Sequence, residues 1–225
     1  MTMAEKKKNS STRERIIENA KKHFYCDGYS KTRMQDIADD TGIALGSLSY
    51  HFKKKEAIVS SILKIFLERL YDHTLENTDK PLNALELHFY ASIPYYENLL
   101  TEENTKRFYY EFTQAQSVHS TNYGGSELAD FITEVYHQSL KDYHIFVDDA
   151  YANMAQKFGY GGRVQMVIDY VEGALGTVNI AEMANFLSSS REMLLGVPKA
   201  ELDRIGQEAI AFNREVDFSN IMPLT

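Results

Sequence analysis

Residues Thr32–Lys55 read TRMQDIADDTGIALGSLSYHFKKK, and the fold turns on this stretch. Thr32 followed three residues later by Gln35 is the S/T-x-x-Q pattern with which a helix caps its own start, so a helix is expected to open here. Met34, Ile37 and Ala38 give it one apolar stripe at helical spacing. Gly42 then ends it, because glycine enters the left-handed backbone region without the penalty of a Cβ. A second short helix follows, with Leu48 and Phe52 four apart on its buried side. Its other side carries Leu45, Gly46, Ser47, Ser49 and Tyr50, all small or able to hydrogen-bond, Leu45 excepted. Two short helices joined by a tight glycine turn, the second with a small, polar outer face, make the helix-turn-helix pattern.

Charge points the same way. The whole chain of 225 residues has a net charge of −8, which by itself argues against a polyanionic partner. Residues 1–55 nevertheless hold 12 Lys and Arg against 7 Asp and Glu, a net of +5, and the other 170 hold 12 against 25, a net of −13. A small basic module on an acidic body is the asymmetry expected when one end alone meets phosphate. Lys53, Lys54 and Lys55 stand directly before a long amphipathic segment. Cations at a helix N-terminus oppose the helix dipole, so phosphate contact accounts for them better than helix stability does. Thr32, Tyr50, His51 and Lys55 are the expected backbone contacts on DNA, and Leu45, Gly46, Ser47 and Ser49 the surface turned to the bases. Leu45 can meet a thymine methyl and the two serines can make single hydrogen bonds, while no Arg, Lys, Asn or Gln is present for bidentate base contacts. Residues 1–9 read as a disordered lysine-rich tail, and the first helix is expected from Ser11, capped with Glu14, to Gly28.

From Phe24 onward, the line FYCDGYSKTRMQDIA and then TGIALGSLSYHFKKKE resembles the DNA-binding domain of TetR-type (tetracycline-repressor-like) regulators. Phe24, Gly28, Tyr29, Thr32, Ile37 and Ala38 carry the first half of the match. Gly42, Gly46, Leu48, Tyr50, Phe52, Lys55 and Glu56 carry the second. Two positions depart from the family: Ala44 stands where a hydroxyl residue usually caps the recognition helix, and Ser49 where an aromatic often touches phosphate. The resemblance implies an all-α protein, with a three-helix helix-turn-helix domain over residues 1–55 and a larger ligand-sensing and dimerisation domain over 56–225. It also implies a homodimer on pseudo-palindromic operator DNA, formed through the last two long helices, with repression as the default sense.

The body shows no alternating strand pattern, no Gly-rich phosphate loop and no repeat. Helices are expected over about 55–77, 81–99, 102–118, 125–144, 147–158, 162–189 and 198–213, Pro81 opening the second of these. Breaks are expected at Tyr123–Gly125, Gly159–Gly162 and Gly196–Pro198. His137 and His144 lie seven apart, about 10 Å along a helix, too far to chelate one metal together. No catalytic set can be placed, so neither an enzyme nor a cofactor is expected. No apolar run suits a membrane span, and the single Cys26 fits a reducing cytoplasm.

Of 15 tyrosines, 12 follow Lys55, clustered at Phe89-Tyr90, Tyr95-Tyr96 and Phe108–Phe112. Phe89, Tyr109, Tyr110 and Tyr170 are the candidates for lining a cavity that takes a small apolar or aromatic effector. Glu111 and Asp169 leave the charge of that effector open. The segment 164–187 is apolar on several sides and so has to be covered on several sides. Val171, Gly173, Leu175, Gly176 and Val178 are therefore expected in a dimer interface, completed by Leu202, Ile205 and Ala209 of the last helix. Two rivals stand beside this reading: a DNA-binding regulator switched by a protein partner, and a helical enzyme or binding protein whose helix-turn-helix is structural.

Overall fold

The computed structural model describes the backbone of residues 3–119 and 126–225, and the side chains of residues 11–116 and 126–225. The described residues form ten helices and no strand. The expected tail over residues 1–9, with Lys6, Lys7 and Lys8, has its side chains outside that range, and the break at Tyr123–Gly125 falls outside it altogether.

Helix α1 (Met3–Lys31) is interrupted at Gly28, whose φ of 79° and ψ of 176° are not helical. Ser11 therefore lies inside α1 and does not open it. Helix α2 (Met34–Thr41) and α3 (Leu45–His51) make the corner, with Gly42 left-handed at φ 70° between them. The cap of α2 is shifted by one residue from the expected Thr32–Gln35 box. Arg33 is the N-cap, and Asp36 accepts both its backbone N–H and its Nε–H at 3.1 Å. Thr32 is drawn away because its hydroxyl donates to Gly28 O at 2.7 Å, closing the broken end of α1.

The body consists of α4 (Lys55–Glu76), α5 (Ala84–Leu100), α6 (Glu103–His119), α7 (Glu127–Asp142), α8 (Asp149–Val171), α9 (Ile180–Leu195) and α10 (Lys199–Glu215). Pro81 does not open α5. Asn83 caps it, accepting from Glu86 N at 2.9 Å while Glu86 accepts from Asn83 N at 3.0 Å. Pro94 sits inside α5 and lacks the N–H that would reach Tyr90 O. Asn213 of α10 replaces it, donating through Nδ2 to Tyr90 O at 2.9 Å.

Two further expected boundaries are wrong. The glycines at 159, 161 and 162 do not break the chain, which runs helical through them because α8 is packed between α6 and α9. A Cβ on Gly159 would already stand 3.5 Å from Arg191 Cβ, so the small residue fits a close helix approach. Conversely, the helix expected over 162–189 is cut at 172–179. Gly173 and Gly176 take φ of 76° and 69° there, and Asn179 with Glu182 caps α9 reciprocally.

Ile16, Phe24 and Leu48 of the first helices share one buried cluster with Phe66, Phe89 and Phe108 of the body. No helix among the described residues is long and apolar enough to cross a membrane.

Candidate functional site

Helix α3 is seven residues long, and only Leu48 faces inward, at 0% exposure. Leu45, Gly46, Ser47, Ser49 and Tyr50 are all exposed, and His51 is half-buried beside the Tyr50 ring. Ala44 is the N-cap and makes no side-chain cap bond, as its lack of a hydroxyl dictates. Lys53 and Lys54 are exposed just beyond the helix, and Arg33 is exposed at the head of α2, paired with Asp36 at 2.8 Å.

Two of the expected phosphate contacts are turned to other work. Thr32 is 2% exposed and engaged with Gly28 O. Lys55 Nζ donates to Tyr29 O at 2.5 Å and Thr32 O at 2.8 Å, and lies 4.0 Å from the centre of the Tyr29 ring. Burial pushes the Lys55 ammonium down, with Glu56 and Glu111 acting against it. The reason is the end of α1: Tyr29 O lies in its last turn and Thr32 O just past it, where helical donors run out, and buried carbonyls must be paired. Sequence reasoning saw a cation near DNA and could not see the orphaned carbonyls that claim it.

The break at Gly28 is gripped from the body. Glu111 of α6 accepts from Ser30 N at 2.7 Å, and Arg107 Nη2 donates to Tyr25 O at 3.1 Å and Cys26 O at 2.9 Å. A Cβ on Gly28 would stand 2.7 Å from Glu111 Oε2, so the positive φ favours glycine and any larger residue would also push the Glu111 carboxylate aside.

Inside the body, helices α4 to α9 enclose a cavity of about 540 Å³. It starts at His51, Lys53 and Lys54, directly behind α3, and runs inward past Leu63 and Leu67 of α4. Tyr95, Tyr96, Tyr136 and Tyr160 give it aromatic walls, and Phe112 and Gln116 of α6 form another. Arg163 and Arg191 reach it from α8 and α9. At its inner side, His88 and Tyr71 share a hydrogen bond of 2.8 Å, and burial pushes the His88 imidazole down to about 4, with the Arg191 charge adding to the effect.

None of the four residues expected to line the cavity does so. Phe89 and Tyr109 are 0% exposed and belong to the solid core, Tyr109 accepting from Arg163 Nη1 at 2.9 Å. Tyr110 donates to Glu172 at 2.6 Å on the outside, and Tyr170 packs partly buried on the core. Helical phase decides this: α6 turns Phe112 and Gln116 to the cavity, and Tyr110 is two residues from the first of these, on another side of the helix. The interface set also changes. Leu202, Ile205 and Ala209 are 2%, 0% and 0% exposed within one chain, where α10 packs on α5, and cannot be offered to a second subunit. Gly173 and Gly176 lie in the turn after α8, with nothing within 4 Å of a Cβ, so they do not serve close helix packing. Val171 and Leu175 are partly buried and Val178 is 37% exposed around that turn.

The helix-turn-helix corner and its flanks match the profile of bacterial regulatory proteins, tetR family, over residues 16–62. The match is to the N-terminal module of that family, over those residues. The HTH-type transcriptional repressor KstR2 of Mycolicibacterium smegmatis is 38% identical over 86 residues, covering 37% of this chain and 42% of that protein. The chain thus matches less than half the length of that relative. Over most of the chain the likeness is one of fold. The crystal structure of RolR in complex with the ligand resorcinol has a TM-score of 0.51 at 12% identity, over 89% of this chain and 95% of that one. A TetR transcriptional regulator from Rhodococcus sp. RHA1 has a TM-score of 0.51 at 13% identity, over 83% and 97%. KstR2 is named as a repressor and the Rhodococcus protein as a TetR regulator, and the likeness of fold extends through the helical body.

Proposed function

We propose that the chain is a one-component transcription regulator, in the repressor sense, that binds operator DNA as a homodimer and is released by a small molecule held in the cavity. Residues 1–55 form the DNA-binding part and 56–225 the sensing and dimerising part. The observation that carries the reading is continuity: the cavity begins behind α3, at His51, Lys53 and Lys54, and α4 passes from that point along its wall.

Leu45, Gly46, Ser47 and Ser49 face the bases, and Tyr50, His51, Lys53 and Lys54 hold phosphate. With no bidentate reader on this face, discrimination rests on DNA shape and on the distance between the two modules. Two recognition helices must enter grooves about 34 Å apart. An effector among α4 to α9 acts through its unequal affinity for the arrangements that fit and misfit that spacing. Two helices transmit it, α4 through Leu63 and Leu67 and α6 through Phe112 and Gln116 on the cavity and Arg107 and Glu111 on the end of α1.

For the dimer, α8 and α9 supply the face. Tyr151, Met154 and Phe158 of α8 are 42%, 60% and 68% exposed, and Phe186, Met193 and Leu194 of α9 are 58%, 49% and 39% exposed. Tyr151 Oη donates to Leu194 O at 3.0 Å, which ties the two helices at one end of this face. Exposed apolar side chains in such a group mark an interface, and four helices, two from each chain, bury them.

The test is retardation of a fragment from the DNA upstream of the gene, at several salt concentrations, with native mass spectrometry of the purified protein for a co-purified small molecule. Binding that falls steeply with salt and shows one dimer per site supports the reading. No preference for that fragment over unrelated DNA counts against it.

A further inference from the structure

Resting on the reading of the cavity as the effector site, we propose that the effector is an anion, a carboxylate on a flat apolar body, with its charged end between Arg191 and Arg163. Arg191 is 4% exposed, and its guanidinium carbon lies 3.6 Å from the centre of the Tyr136 ring. A guanidinium stacked on a ring presents its N–H donors along its edge, the geometry that takes a carboxylate in two parallel bonds. Arg163 stands on the neighbouring helix, 5.0 Å from the Tyr160 ring, with Nη1 on Tyr109 Oη.

The charge around them is one-sided. Among the described lining residues Arg163, Arg191, Lys53 and Lys54 are cationic, and Glu56 and Glu127 are the acids. Both acids already serve the DNA-side end. Glu56 accepts from Tyr29 Oη at 2.9 Å, and Glu127 accepts from Arg13 at 2.5 Å and Ser61 at 3.0 Å. Glu192, next to Arg191, is 0% exposed and is bonded to Ser139 Oγ at 2.9 Å. Burial pushes its carboxyl up, with Arg191 and Ser139 only partly opposing this, which weakens its offset of the Arg191 charge. In a low-dielectric cavity, such a field selects strongly for the sign of a ligand's charge. The remaining walls, Leu63, Leu67, Leu128, Ile132 and Leu187 with the tyrosine rings, suit an apolar body.

The test uses the full chain and matched pairs that differ in charge at nearly constant shape: 1-naphthylacetate against 1-naphthylacetamide, and 4-phenylbutyrate against its primary amide. Affinities are measured by calorimetry at pH 7, with Nile red fluorescence as a neutral probe of the cavity. Each acid is expected to bind roughly tenfold to a hundredfold tighter than its amide, the range for a hydrogen bond to a charged group. Arg163→Gln and Arg191→Gln should each bring that ratio towards one and leave amide affinity within about threefold. Arg191→Lys, which keeps the charge, should keep part of the ratio and serves if the Gln variant fails to fold. Amides that bind as tightly as acids, or a ratio unchanged in the Arg163 and Arg191 variants, overturn the charge assignment while leaving the cavity reading intact. If Nile red and all four compounds fail to bind, the cavity reading fails, and this assignment with it.

Discussion

The Glu111 carboxylate accepts the backbone N–H of Ser30 at 2.7 Å, joining α6 to the end of α1 across 81 positions of sequence. The same carboxylate lies 2.7 Å from where a Cβ on Gly28 would sit. One acidic side chain thus touches the DNA-binding module, while Phe112, the next residue on its helix, touches the cavity. Glu111→Ala is expected to leave operator affinity within severalfold and to weaken effector-driven release, in a protein whose stability falls by roughly 1 kcal/mol. Gly28→Ala should cost more, about 2 kcal/mol, from positive φ and from the contact with Glu111 together. Chemical denaturation gives the stabilities, and operator affinity with and without effector gives the coupling. Undiminished coupling in Glu111→Ala would take α6 off the path.

The three consecutive lysines should separate by role. Lys53→Ala and Lys54→Ala are expected to reduce the salt slope of DNA binding by about one unit per subunit each, with little change in stability. Lys55→Met should instead lower the unfolding midpoint, because Tyr29 O and Thr32 O lose their donor. A Lys55→Met protein as stable as the parent, but with a reduced salt slope, would return Lys55 to the phosphates.

Acid should destabilise the protein through His88. Its imidazole titrates at about 4 in the fold, against an ordinary value of 6.5, because burial and Arg191 disfavour the cation. The unfolded chain therefore binds more protons between these two values, and stability rises with pH across that window. The contribution is full above pH 6.5 and is lost as pH falls towards 4, by roughly 3 kcal/mol. Urea unfolding at pH 4.5, 5.5 and 7 should show a flatter dependence for His88→Gln than for the parent. Parallel curves would mean that His88 is not the group responsible.

Apolar positions on two kinds of surface should respond oppositely. Phe158→Asp and Phe186→Asp are expected to give folded monomers in sedimentation experiments, with operator binding reduced at least a hundredfold by loss of the second module. Leu202→Ala should leave a dimer that is less stable by about 2–5 kcal/mol, as a core truncation does. A monomer from Leu202→Ala, with full stability, would move the interface back to α10.

Local signals survived well in the passage from sequence to structure. Gly42 turned where a left-handed residue was needed, Leu48 and Phe52 pointed inward, and Leu45, Gly46, Ser47, Ser49 and Tyr50 stayed outside, because short amphipathic helices leave few alternatives. Signals set by distant partners did not. Lys55 reads as a cation beside DNA until the Tyr29 and Thr32 carbonyls at the end of α1 are known, and those depend on the turn. The glycines at 159–162 look like punctuation, yet α6 and α9 on either side hold the helix through them. Two overlooked signals were local: Asn83-x-x-Glu86 and Asn179-x-x-Glu182 are capping boxes, and reading them would have opened α5 after Asn83 and split the helix expected over 162–189. The aromatic content did indicate a cavity, but which tyrosines reach it is a matter of helix phase against neighbours that no single segment records.

Pro94 leaves α5 one donor short, and the substitute, Asn213, comes from 123 positions further along the chain. On the ribosome, α5 emerges long before that side chain exists, at a rate of roughly 5–20 residues per second. For several seconds the helix carrying Tyr95, Tyr96 and His88 therefore has an unanswered carbonyl and no α10 to cover it. The helical body can take its final shape only after the last helix has been made, whereas α1, α2 and α3 have their own corner contacts from the start. A nascent chain would accordingly hold a folded helix-turn-helix corner before it holds the finished body that packs against it.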